Sequence, residues 1–367
     1  MGIKYKKILV IKLDHIGDLI LSTPVFRCIK EKYKDVILDV LVSQKTKVVV
    51  ENSPFVNKIY TYESKDFDRK NDRTEKLIAE NIKTIANIRD NCYDLCIGLR
   101  EDLSNIPIQL MCGAKKNISF STNTSFEVFL DESVENDEKK HSAEINFDLL
   151  KLIGVEKPAK VLPELFIKEQ DEEWSRQFLN KSGSKDNNIK VGFSIGGGWY
   201  LNWWPISNFA QLGKKIKKDF PEIEIIIVGG KAELSLLSEF RRQVDYEFIS
   251  AVGETSICQL VALFKQMELV VSNDGGPMHM ATAAGVPVIS LFGPSPNYRF
   301  GPLGEENVVI SKYLNCSPCP QFVQGELPKC TDNVCMQKIT VDEVYTVVKE
   351  KLKQLNLKAE KVNMQKL

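Results

Sequence analysis

The hydrophobic pattern of this chain predicts two rounds of alternating strands and helices. KILVIKL at Lys7–Leu13 is an almost continuous apolar run, which suits a strand covered on both faces. A helix is predicted from about Asp18 to Lys32 and a second strand at Ile37–Val42. YDLCIGL (93–99), KVGFSI (190–195), EIEIIIVGG (222–230), ELVVS (268–272) and VPVISLFG (286–293) read as further strands. Amphipathic stretches lie among them, among others Phe209–Lys218 and Ser256–Lys265. Such alternation implies α/β architecture with parallel sheets covered on both sides. EKPAKVLPELFIKEQDEE (156–173) breaks the rhythm with prolines and charge, so a domain boundary is predicted there. The division is 1–160, 161–340 and a tail, 341–367, whose end after Lys353 is Lys-rich and expected to fray. Both halves look Rossmann-like, and ligands of such sheets bind at the carboxyl ends of the strands.

Composition narrows the class without changing that picture. The chain has 367 residues, enough for two domains with cores of their own. Lys+Arg and Asp+Glu are both 49, and that balance does not mark a nucleic-acid binder. No apolar run reaches the roughly 18 residues of a membrane span. The basic start MGIKYKKILVIKLD leads into charge rather than a cleavage site, so a cytoplasmic chain is expected.

Candidate chemistry concentrates at two turns. NDGGPMH (273–279) follows the strand ELVVS and opens the small-residue run MATAAG. Pro277 suits a first helical position, and Gly285 suits a left-handed cap at the other end. A glycine turn leading into a helix N-terminus offers backbone N–H groups and a positive dipole end, which would hold a diphosphate between Asp274 and His279. The same turn could be purely structural. KLDHIGDL (12–19) places Asp14, Gly17 and Asp18 at the end of the first strand. Gly17 would let the chain turn sharply, and Asp18 would lie in the first turn of the next helix. There it could serve only the helix dipole, a gain of about 0.3–1 kcal/mol. No GxGxxG follows this strand, which counts against a dehydrogenase.

Among the nine cysteines, Cys28, Cys92, Cys96, Cys112 and Cys258 read mostly as buried free thiols. Cys316, Cys319, Cys330 and Cys335 form C-x2-C-x10-C-x4-C within a loop at 312–336. Four thiols at this spacing suit a structural zinc or iron site, with disulfides or unmodified thiols as the alternative.

The stretch VSNDGGPMHMATAAGVPVISLFGPSP resembles the D-[SG]-G-P-x-H signature of glycosyltransferase family nine, the ADP-heptose:lipopolysaccharide heptosyltransferases. ILVIKLDHIGDLILSTPVFRCIK resembles that family's opening strand, loop and helix. YDLCIGLR, HSAEINFDLLKLIGV, VGGKAE and VGETSICQL follow in order, so the likeness covers roughly residues 5–305. It implies a GT-B fold, two Rossmann-like domains facing across a cleft, with the nucleotide sugar held mainly by the second. The last helix, about Val341–Lys353, would pack back on the N-terminal domain.

The resemblance further implies inverting transfer of a heptose or related sugar from ADP-heptose or another nucleotide sugar, with no cofactor for catalysis. Asp18 would be the base, with Asp14 as runner-up. Lys12, Gly17, Glu233, Asp274, Gly275, Gly276 and His279 would serve the donor. Asn202 stands where the family's K-[RH]-W-P segment has its lysine, and a neutral amide does not offset phosphate charge as an ammonium does. Lys12 or Arg299 would then have to compensate. Trp203 and Trp204 read as core for at least one of the two. The acceptor could be a lipopolysaccharide core, another surface glycan or a protein side chain, with peripheral inner-membrane contact left open. The rivals are a GT-B binding or assembly protein without turnover and a nucleotide-sugar epimerase.

Overall fold

The computed structural model describes residues 5–63, 75–100, 105–122, 124–323 and 330–364. The chain divides into two units, Met1–Phe166 and Ile167–Leu367. Their boundary falls inside the proline- and charge-rich stretch, slightly later than the predicted 160/161.

The first unit carries β1 (Lys7–Lys12), β2 (Ile37–Val42), β3 (Lys58–Thr61), β4 (Leu95–Gly98), β5 (Asn117–Phe120) and β6 (Glu132–Val134). Among the described residues they form one parallel sheet in the order β3-β2-β1-β4-β5-β6. The apolar run of β1 is central, and Ile8 through Ile11 are wholly buried. One face packs Leu9, Ile11 and Leu13 against Leu41, Tyr93, Cys96 and Ile108. The helix Ile16–Lys32 keeps Pro24 in its interior, which removes the N–H that Ile20 would otherwise receive. The Thr23 hydroxyl donates to the Ile20 carbonyl at 2.7 Å instead, so the proline leaves that acceptor satisfied.

The second unit repeats the plan with β7 (Lys190–Ser194), β8 (Glu224–Val228), β9 (Ile249–Ser250), β10 (Leu269–Asn273), β11 (Val288–Phe292) and β12 (Val308–Ser311). Their order is β12-β11-β10-β7-β8-β9, again parallel. Strands β3, β5, β6, β9 and β12 escape the hydrophobic pattern because each is short and lacks the flanking apolar run that marks β4. No helix among the described residues is long and apolar enough to cross a membrane.

The last helix runs Val341–Met364, where a frayed tail was predicted after Lys353. Val344, Val348 and Leu352, one face at four-residue spacing, lie in the core cluster of the second unit with Phe209, Leu212 and Ile216. Asp219 accepts from Lys349 Nζ at 2.6 Å and from the Tyr345 hydroxyl, fixing the helix along Ile206–Asp219.

Asp94 anchors the start of β1. Its Oδ2 accepts the backbone N–H groups of Lys6 and Lys7 at 2.9 and 3.1 Å, and Oδ1 meets Lys115 Nζ at 2.9 Å. The Lys115 hydrogen bond above all, with those two amides, holds the carboxyl down at about 2. A depressed native pKa stabilises the fold above the unfolded value, near 3.9, and that gain disappears as pH falls through the native value. Asp94→Asn is therefore expected to destabilise the protein by about 1 kcal/mol at pH 7. Denaturant titrations of variant and wild type should converge between pH 4 and pH 2; a gap that persists at pH 2 would refute the assignment.

Candidate active site

β10 is flanked by β7 and β11, and the chain leaves its carboxyl end through Asp274 and Gly275 into the helix Gly276–Ala283. Gly275 has φ 153, a conformation side chains rarely adopt, and this lets Gly276 begin the helix. Pro277 is the second helical residue rather than the first. Gly285, with φ 78, ends the helix as predicted, its N–H reaching the Thr282 carbonyl. Asp274 and His279 are 8% and 5% exposed, at the mouth and on the next turn of this helix start.

The loop after β7 is tied to the same point. Asn273, which the sequence reading passed over, donates through Nδ2 to the Ile195 and Gly196 carbonyls, both at 3.2 Å. Its Oδ1 accepts the Trp204 N–H at 3.0 Å. The only hint was its place immediately before the signature aspartate. Gly197, with φ 152, comes close enough to Gly275 that a side-chain carbon built on the latter would lie 3.9 Å from the Gly197 Cα. Two bare stretches of backbone thus face each other beside the helix N-terminus, the arrangement that admits a diphosphate.

Asn202 closes the loop onto Asp274. Its Nδ2 donates to Asp274 Oδ2 at 3.0 Å and to Ser295 Oγ at 3.4 Å. A carboxylate only accepts, so the amide nitrogen must face it. Here the neutral residue satisfies a buried anion. Trp204 is wholly buried as core, while Trp203 donates from Nε1 to the Gly197 carbonyl at 3.1 Å. Glu233 folds back so that Oε2 accepts the Gly230 N–H at 2.7 Å. It passes so near Gly196 that a side-chain carbon there would lie 2.2 Å from Glu233 Cγ. The second unit therefore gathers Gly196, Gly197, Asn202, Glu233, Asp274, Gly275 and the Gly276 helix start, with His279 behind them. Arg299 stands farther along the loop after β11, over the Phe300 ring at 5.7 Å.

In the first unit, the end of β1 separates the two candidate carboxylates. Asp14 meets Lys12 Nζ at 2.9 Å and Arg100 Nε at 3.5 Å. Burial alone would raise its pKa, but the Lys12 ammonium and the Arg100 guanidinium outweigh burial and keep the carboxyl below its usual value. Asp14 is an anchored anion, which argues against a role as base. Lys12 also donates to the Leu99 carbonyl at 2.8 Å, so two of its contacts lie within this unit. Asp18 is half-buried in the first turn of Ile16–Lys32. Gly17 is already helical; the turn is made by His15, extended at φ −74 and ψ 168.

The cysteine quartet is present as thiols, the alternative to the expected metal site. All four thiols are free, with Cys319 and Cys335 buried and Cys316 and Cys330 exposed. Among the described residues no three His, Cys, Asp or Glu side chains are grouped as a metal ion would need, so the expected zinc or iron finds no support; residues 324–329 lie outside that description. Burial, reinforced by the neighbouring Cys316 and Cys330, raises the Cys335 thiol to about 11.

Comparison with known proteins adds relatives to this geometry. The sequence profile of glycosyltransferase family 9 (heptosyltransferase) matches residues 82–328. Lipopolysaccharide heptosyltransferase 1 of Campylobacter coli is 25% identical over 356 residues, covering 94% of this chain and 98% of that one. A family 9 glycosyl transferase from Veillonella parvula superposes with TM-score 0.80 at 21% identity, over 96% of this chain and 99% of that one. Escherichia coli ADP-heptose lipopolysaccharide heptosyltransferase II gives 0.73 at 22%, with the same coverage.

If Gly196 is bare so that Glu233 can pass, Gly196→Ala should displace that carboxylate and weaken ADP binding by about tenfold, the equivalent of one good hydrogen bond. Titration calorimetry reads the change, and an affinity equal to wild type would sink the assignment.

Proposed function

Since this chain belongs to glycosyltransferase family 9, we propose that it moves a heptose or closely related sugar from ADP-heptose to a hydroxyl of a lipopolysaccharide core, inverting the anomeric carbon. The observation that carries this reading is the second-unit cradle, where Asp274, Asn202, Glu233 and two glycine turns converge on one helix N-terminus. In one displacement the acceptor oxygen bonds to the anomeric carbon while the bond from that carbon to the diphosphate breaks. Single displacement from the opposite face is what inverts the centre.

Charge builds on the departing diphosphate, and the N–H groups and dipole at Gly276–His279 lie where that charge can be stabilised. With that source in place the step requires no metal ion. Asp18 accepts the acceptor's proton. The helix N-terminus favours its ionised form, and the proton passes to it as the acceptor hydroxyl becomes acidic on bonding to the anomeric carbon. Asp14, already paired with two cations, orients the β1 turn instead.

The rival reading, a binding or assembly shell without turnover, drew on Asn202. Its engagement with Asp274 and Ser295 supports an organised donor site and removes that argument. We place the enzyme in the cytoplasm, touching the inner membrane where the acceptor is a glycolipid.

Asp18→Asn should reduce turnover at least about 10²-fold, roughly 2.7 kcal/mol of barrier, with ADP affinity nearly intact. A variant turning over at the wild-type rate would exclude Asp18 as base. Incubation with EDTA should leave heptose transfer unchanged, and activity lost to the chelator and restored by a divalent ion would overturn the metal-free step.

A further inference from the structure

The segment that carries the cysteines grips the loops around Asp274. Asn333 has a left-handed backbone, φ 36 and ψ 45, and its carbonyl receives the N–H groups of Met336 and Gln337 at the start of the short helix Val334–Gln337. Its side-chain Nδ2 donates to the Trp203 carbonyl at 2.9 Å and to the Leu201 carbonyl at 3.3 Å. These are the two carbonyls on either side of Asn202. Gln337 Nε2 approaches Asn333 Oδ1 at 3.3 Å, which agrees with the amide orientation that two carbonyl acceptors demand.

The same segment holds the other partner of Asn202. Ser317 Oγ donates to the Gly293 carbonyl at 2.6 Å, and the Cys319 N–H donates to the Pro294 carbonyl at 2.7 Å. Ser295 follows directly. Trp204 Nε1 donates to the Ile339 carbonyl at 2.9 Å, a third tie to this stretch. Both loops that meet Asp274 through Asn202 are therefore braced by Ser317, Cys319, Asn333 and Ile339.

We propose that Asn333 is a positioning residue for donor binding, acting through Asn202 on Asp274; the inference rests on the donor site assigned above. The single turn Tyr200–Asn202 is too short to hold its own direction. Clamping the carbonyls on both sides of Asn202 fixes where its amide points, and that amide fixes the Asp274 carboxylate. A mere brace for the fold would show in thermal stability and not in the affinity for donor.

The test compares Asn333→Gly, which keeps the left-handed backbone and deletes the amide, with Asn333→Asp, which keeps the size but sets an acceptor against two carbonyls. For Asn333→Gly the KM for ADP-heptose should rise about tenfold, the scale of one hydrogen bond. Its kcat should stay within about twofold, and its Tm should stay close to wild type. Asn333→Asp should be worse in KM. The double variant Asn202→Ala with Asn333→Gly should lose little more than Asn202→Ala alone, because both changes break one chain of contacts. An unchanged KM, additive losses, or a lowered Tm with normal KM would overturn the inference. Calorimetry with ADP supplies an arm that does not depend on turnover. Wild type that binds ADP but transfers no sugar would refute the transferase reading, while the ADP affinity of Asn333→Gly still decides this one. If either variant fails to fold, the other carries the comparison. Wild type that neither binds ADP nor turns over would overturn both readings.

Discussion

The buried hydrogen bond from Asn202 to Asp274 is the contact on which the candidate site of the second unit depends. Asp274 leaves the end of a central strand as a nearly buried anion, and an unsatisfied charge there would cost several kcal/mol. The Asn202 amide answers it. The consequence reaches backward through the chain, because Asn202 must be carried to Asp274 by a loop that starts on β7. Asn273 ties that loop at Ile195, Gly196 and Trp204, and Asn333 ties it at Leu201 and Trp203. Three asparagines do the holding, each donating through its side-chain amide nitrogen as a hydrophobic residue cannot.

The same logic separates the two aspartates of the first unit. Asp14 and Asp18 are four positions apart and look equally suited to take a proton. Their surroundings make them different groups. Asp14 sits among Lys12, Arg100 and the carbonyls those cations also serve, which keeps it ionised and fixed. Asp18 lies half-buried in a helix first turn, where the dipole favours its ionised form. Asp14 holds the strand end in shape, and the proposal assigns the proton transfer to Asp18.

Where the structure departs from the pattern, packing at a distance is the reason. The last helix shows an apolar face of Val344, Val348 and Leu352, and any complementary surface would satisfy that periodicity. The nearby helix Ile206–Asp219, with Asp219 and Lys215 to pair its charges, receives it. The cysteine spacing likewise permits a tetrahedral site without requiring one. Cys335 and Met336 are instead part of the second unit's core, so close to Gly293 that a side chain there would not fit.

The sequence by itself determined the two-fold strand–helix alternation, the central strands, the boundary region and the glycine turn at Gly275. Those features rest on local rules: burial period along one element, and backbone conformations that only glycine or proline supplies. Asp274, Gly275, His279 and Glu233 could be placed from the same short stretches. Only the tertiary structure decided that Asn202 serves a carboxylate, that Asn273 and Asn333 hold its loop, that Lys12 pairs with Asp14, and that the final helix completes the second core. Each of these is a pairing between residues far apart along the chain, and periodicity states how deeply a side chain is buried but not which neighbour it meets.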